Sequence, residues 1–177
     1  MFLIKLVKLF FYWRADPAPL NGEDVVIAQS FGLRNGGPGL SNEALVKIVK
    51  DIRCLKPKTL VIAQWEIGDQ LGSFPNLQII REHRERGKYL DTREVLAQAK
   101  EYCKKKNVGK KAIIVAHPEH YLRVQWAAEK MGFKVTPIFT QQVPYDKESI
   151  QPWTRSKTRF IAREVPARIL YLLKGWI

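Results

Sequence analysis

The sequence predicts an α/β fold, a Rossmann-like three-layer α/β/α domain on a mostly parallel sheet of about five strands, with amphipathic helices at both termini. Three observations predict it. Short apolar runs recur along the chain without polar alternation, as in strands covered on both faces. Helix-period segments of roughly 12 to 16 residues separate them, long enough for parallel crossovers. The length of 177 residues and a hydrophobic content of 46% suit one domain with a sizeable core and argue against disorder.

Residues 1–20 stand apart as an amphipathic segment, and residues 21–177 form the domain. In "MFLIKLVKLFFYWRADPAP", Lys5 and Lys8 share one side of a helix whose other sides carry Phe2, Leu3, Leu6, Leu9, Phe10 and Trp13. That run is too short for a bilayer, which needs roughly 20 apolar residues. Two readings stay open: an interfacial helix in which residues 1–13 meet an anionic membrane surface, or a helix docked on its own domain.

"VVIAQSF" (25–31) reads as a buried strand. "NEALVKIVKDIRCL" (42–55) follows as a helix with Leu45, Ile48, Val49, Ile52 and Leu55 on one face, and "TLVIAQW" (59–65) as a second strand. "NLQII" (76–80) is a third strand and "DTREVLAQAKEYCKKK" (91–106) a helix whose Asp91 and Glu94 have capping-box spacing. "KAIIVA" (111–116), "PEHYLRVQWAAEKM" (118–131) and "FKVTPIF" (133–139) continue as strand, helix and strand. A basic tail helix occupies about 155–174, bent or delayed by Pro166.

Thirty Lys and Arg against seventeen Asp and Glu give a net charge of +13, a long-range preference for anions. The basic residues are not interleaved with aromatics in a binding motif, so nucleic acid is the least favoured partner. Cys54 and Cys103 lie mid-helix with no ligand spacing, which predicts no metal site, two buried or half-buried thiols and a reducing compartment. The expected location is cytoplasmic, peripheral at the inner face of the membrane if residues 1–13 bind lipid.

Ligands of an open parallel sheet bind beyond the carboxyl ends of its strands. After the first strand, "GLRNGGPGLSNE" places Gly32, Gly36 and Gly37 where backbone can approach an anion, with Ser41 or Asn42 to cap the next helix. It matches neither G-x-G-x-x-G nor a P-loop, and a plain turn is the alternative. After the third strand, "REHRERGKYLDTREV" supplies a basic loop that includes Arg84. After the fourth, Pro118 as first helical residue makes His117 the cap and puts His120 and Arg123 on one face of the first turns. The helix dipole there favours neutral imidazole and a bound anion. His120 can serve as acid or base or as a structural histidine, and both readings stay open. In the tail, Trp153 and Arg155 of "QPWTRS" can reach the pocket rim or serve packing alone.

"HYLRVQWAAEKMGFKV" resembles the His-x-x-Arg motif and following Gly-hydrophobic turn of the ElyC/SanA/YdcF family, a bacterial α/β domain, and "DTREV" resembles its Thr-x-Glu helix start. The resemblance spans roughly residues 25–140. It implies a pocket with Thr92, Glu94, His120 and Arg123, joined by Glu82, with His120 and Glu94 in catalytic positions. The family pattern is absent at "AQWEIGD", at Ala116-His117, at Tyr89 and at Val95, which marks a divergent, short member. The resemblance further implies a nucleotide-like ligand, S-adenosylmethionine in one branch, and an envelope role; if the domain is catalytic, the expected chemistry is hydrolysis or group transfer with His120 as acid or base. The leading expectation is therefore a small anionic, nucleotide-like ligand at the carboxyl edge of the sheet. A non-enzymatic membrane-surface protein is the rival.

Overall fold

β-Branched residues fill the strands because they pack well on a pleated surface covered from both sides. The computed structural model describes residues 16–138, 140 and 142–177. In it β1 (Val25–Ala28), β2 (Leu60–Gln64), β3 (Leu77–Ile80), β4 (Lys111–Val115) and β5 (Lys134–Thr136) form one sheet in the order β3-β2-β1-β4-β5. Every pairing is parallel, and Ile27 at the centre lies level with Ile62 and Ile114. The helices are α1 (Leu40–Leu55), the short α2 (Trp65–Gly68), α3 (Thr92–Lys105), α4 (Pro118–Lys130) and α5 (Lys157–Leu173), with a 3-10 turn at Pro152–Thr154.

Alternate residues of each strand face opposite ways, so the sheet carries two cores. Val25, Ile27, Ile62 and Ile114 pack against Val95, Leu96 and Ala99 of α3 and Tyr121, Leu122 and Val124 of α4. Val26, Ala28, Val61 and Ile113 pack against Leu45, Val46 and Val49 of α1 and Phe160 of α5. This is the three-layer Rossmann-like architecture the apolar runs predict.

The differences lie at element ends. β1 stops at Ala28, three residues short of the expected strand, because beyond the Gln29 N–H bond to Val115 the Ser30 and Phe31 N–H groups turn to the Gln64 and Asn42 side chains. Trp65, expected to end the second strand, opens α2. β5 is only Lys134–Thr136. Helix α1 begins at Leu40 with Gly39 as its cap residue, so neither Ser41 nor Asn42 caps it. Leu55 at its far end is 74% exposed rather than part of the buried face, and Cys54 is exposed while Cys103 is buried. Helix α5 runs through Pro166 without a break in its assignment, held on both sides of it by the buried stripe Phe160, Glu164, Arg168 and Tyr171. The expected amphipathic segment over residues 1–13 lies outside the described residues. No helix among the described residues is long and apolar enough to cross a membrane.

Candidate functional site

The chain steps outward from β1 to β2 and β3, then crosses to place β4 on the other flank of β1. Successive crossovers diverge at such a reversal and leave a crevice beyond the carboxyl ends of the central strands. Here the crevice is a cavity of about 520 Å³. Gln29 to Gly32 after β1, Gln64 at the end of β2, Tyr89 to Thr92 before α3 and His120 and Arg123 of α4 line it, and α5 closes it with Phe160, Arg163, Glu164, Ala167 and Tyr171.

One wall is a buried network whose polarity the donors dictate. Arg123 Nη2 lies 3.2 Å from His120 Nδ1, and His120 Nε2 lies 3.2 Å from Thr92 Oγ1. A guanidinium only donates, so Nδ1 accepts, the ring proton sits on Nε2, and Nε2 donates to Thr92. Burial, reinforced by the Arg123 charge, pulls His120 down to about 4 and keeps the imidazole neutral near pH 7. Arg123 Nε donates to both Glu164 oxygens at 2.9 and 3.0 Å, and Nη1 reaches Thr92 Oγ1 at 3.4 Å. Arg168 Nε donates to Glu164 Oε1 at 3.2 Å. Burial alone would raise the Glu164 carboxyl, but the Arg123 charge and its hydrogen bonds hold it at about 2. Arg123 is thus ion-paired within the wall, to a carboxylate it shares with Arg168.

The floor is polar but uncharged. Gln29 Nε2 donates to the Thr92 carbonyl at 3.4 Å, and Gln64 Oε1 accepts from the Ser30 N–H at 2.9 Å. Each backbone partner has one role, which fixes both amides the right way round. Gln29 Oε1 and Gln64 Nε2 are not used in these two bonds, and both side chains line the cavity. An acceptor and a donor are therefore offered from adjacent strand ends. Phe31, Tyr89, Trp153, Phe160 and Tyr171 supply aromatic surface, and the Arg163 guanidinium lies 4.0 Å from the Trp153 ring centre at the α5 side.

Of the candidate site residues named from the sequence, Gly32, Thr92, His120, Arg123 and Trp153 line this cavity. The rest lie elsewhere. The glycine loop does cradle an anion, but the anion is the protein's own: Asp146 accepts from Arg34 Nε at 2.7 Å and from Leu40 N at 2.9 Å at the start of α1. Gly39, at φ 81°, faces the Asp146 carboxylate so closely that no Cβ fits, while Gly36 and Gly37 have open surroundings in an outer turn. Ser41 donates to the Pro144 carbonyl at 2.7 Å, and Asn42 ties Phe31 N–H to the Gly32 and Pro38 carbonyls.

Asp91 caps α3 by accepting from Glu94 N at 2.9 Å, yet the Glu94 carboxylate turns away to Arg84 and Gln98. Arg84 holds it at about 2, and neither residue borders the cavity. Glu82 is exposed, with its carbonyl accepting from Gln98. His117 is the residue before α4, as its place beside Pro118 predicts, but its side chain caps nothing. It stacks on Phe31 at 3.8 Å, fully buried, and burial lowers its pKa. No cluster of three or more His, Cys, Asp or Glu suited to a metal occurs among the described residues.

Gln29, Gln64, Arg163 and Glu164 are the wall residues that sequence reasoning missed. One signal was visible for Glu164: it is the lone acid among the four cations of α5. Trp153 does line the cavity, whereas Arg155 turns to the Ser149 carbonyl at 2.6 Å. Comparison with protein-family models, with curated proteins and with solved structures finds no match for this chain.

Proposed function

We propose that this domain binds a small nucleotide-like molecule, a planar polar ring carrying an anionic group, in the cavity at the strand reversal. The observation that carries the reading is the pair of oriented amides, Gln29 Oε1 and Gln64 Nε2, offering an acceptor and a donor on the floor of an aromatic-walled cavity. Ligand sites combine mostly apolar walls with a few placed polar groups, and a ring edge bearing both a donor and an acceptor answers this floor. The resemblance to the ElyC/SanA/YdcF family adds S-adenosylmethionine to the compounds worth trying. Acid–base chemistry is not part of the reading, because the His120 lone pair is occupied by Arg123.

The test is a thermal-shift screen of nucleosides, nucleotides, S-adenosylmethionine and sugar phosphates against wild type and Ala167→Trp, which fills the cavity from α5 without removing any polar contact described above. A ligand at about 100 times its Kd stabilises the fold by about 2.7 kcal/mol. The expected result is a shift with a nucleotide-class compound that disappears in Ala167→Trp. Absence of any such shift, or its persistence in the filled variant, would overturn the reading.

A second reading rests on the outer face of α5, where Ile169 and Leu173 are 37 and 79% exposed beside Lys174 and neither borders the cavity. An apolar stripe flanked by cations suits an anionic lipid surface, and would place the domain peripherally at the inner face of a membrane. Leu173→Ser with Ile169→Ser should abolish co-sedimentation with phosphatidylglycerol vesicles; unchanged binding would reject it.

A further inference from the structure

The two arginines of the cavity differ in one respect that matters for a charged ligand. Arg123 is held by two bonds to Glu164, a carboxylate it shares with Arg168, and its further contacts go to Thr92, His120 and the Tyr171 ring. Moving an anion onto it would set that anion against a carboxylate held ionised in the same wall. Arg163 has no carboxylate partner among the described residues. Its guanidinium stacks on Trp153, which leaves the in-plane N–H groups available, and Arg163 and Trp153 both border the cavity. Stacking restricts the fork before a ligand arrives, so less rotamer freedom is lost on binding.

Charge elsewhere on the wall does not compete for the role. The other acid on the lining is Asp91, whose Oδ1 already accepts from Glu94 N as the α3 cap. The lining therefore pairs two acids, each held in place by internal contacts, with one ion-paired arginine and one available arginine.

We infer that Arg163, aligned on Trp153, is the anion anchor of this cavity and takes the phosphate or carboxylate of a nucleotide-like ligand, while Arg123 is a structural cation. The inference rests on the ligand reading above but makes a separate prediction. A nucleotide should bind more tightly than its nucleoside, and the difference should depend on Arg163 alone of the two arginines. It also gives the cavity a direction: the ring edge goes down to Gln29 and Gln64, and the anion stays near α5.

The experiment is calorimetric titration of the full chain with adenosine and AMP, and with guanosine and GMP, for wild type, Arg163→Met and Arg163→Lys. A charge-assisted contact should make the monophosphate about tenfold tighter than its nucleoside, which is about 1.4 kcal/mol. In Arg163→Met this difference should vanish while nucleoside affinity is retained, and Arg163→Lys should restore part of it. Arg163 is exposed and tied to no carboxylate, so both variants keep the fold. A nucleoside that binds with no gain from phosphate, or a gain that survives in Arg163→Met, would overturn the anchor and leave the ligand reading standing. Failure of every nucleoside and nucleotide to bind would overturn both.

Discussion

Replacing Glu164 by Gln tests the electrostatics of the cavity wall most directly. The carboxylate is 1% exposed, accepts two bonds from Arg123 at 2.9 and 3.0 Å and one from Arg168 at 3.2 Å, and lies 3.7 Å from His120 Nδ1. The amide keeps the shape but removes the charge, and it leaves Arg123, itself largely buried, with no carboxylate in reach among the described residues. Breaking a buried pair from one side costs about 3 to 5 kcal/mol, because the remaining charge stays desolvated. The same contacts hold the folded carboxyl at about 2, below its ordinary 4.5. For a chain of this length the cost of the broken pair corresponds to a fall in Tm of roughly 6 to 20 °C. Urea unfolding should show a lower midpoint with an unchanged slope. The sign of the pH effect follows: this stabilisation is complete above about 4.5 and is lost as pH falls through about 2, so the wild-type advantage over the Gln variant should shrink in that window. A loss below about 1 kcal/mol at pH 7 would refute the buried-charge reasoning.

Other outcomes follow from the same geometry. His120, lowered from 6.5 to about 4 by burial and Arg123, takes up a proton only on unfolding between those values, so stability should fall as pH drops through that window. His117, lowered by its own burial, acts in the same direction, and His120→Gln should remove part of the slope seen in pH-dependent urea midpoints. Gly39→Ala should cost about 2 kcal/mol or more by denaturant titration, since φ is 81° and the Asp146 carboxylate occupies the space a methyl would need. Leu45→Ala should cost about 2 to 5 kcal/mol, whereas Leu55→Ala should change stability by no more than about 0.5 kcal/mol. Sequence periodicity puts both on one face, but only the first is buried.

The sequence by itself determined the layers. Strands such as Val25–Ala28 and Lys111–Val115 are legible because a strand buried on both faces can carry almost no polar residue, and α1, α3 and α4 are legible because a one-sided core imposes a 3.6-residue period. Pro118 located the start of α4, and from there local helix geometry alone joins His120 to Arg123. Those statements depend on neighbours within about one turn.

What only tertiary structure decided are the partners. The glycine loop has the composition of an anion cradle, but composition cannot reveal that Asp146, more than a hundred residues onward, supplies the anion. Glu94 has the spacing of a capping box, yet its carboxylate goes to Arg84. Arg123 reads as an available cation until α5 returns across the sheet edge and brings Glu164 to it from 41 residues away. Charge balance and burial are sums over everything close in space, whatever its place in the chain. They decide that Arg123 is ion-paired inside the wall while Arg163 rests on Trp153.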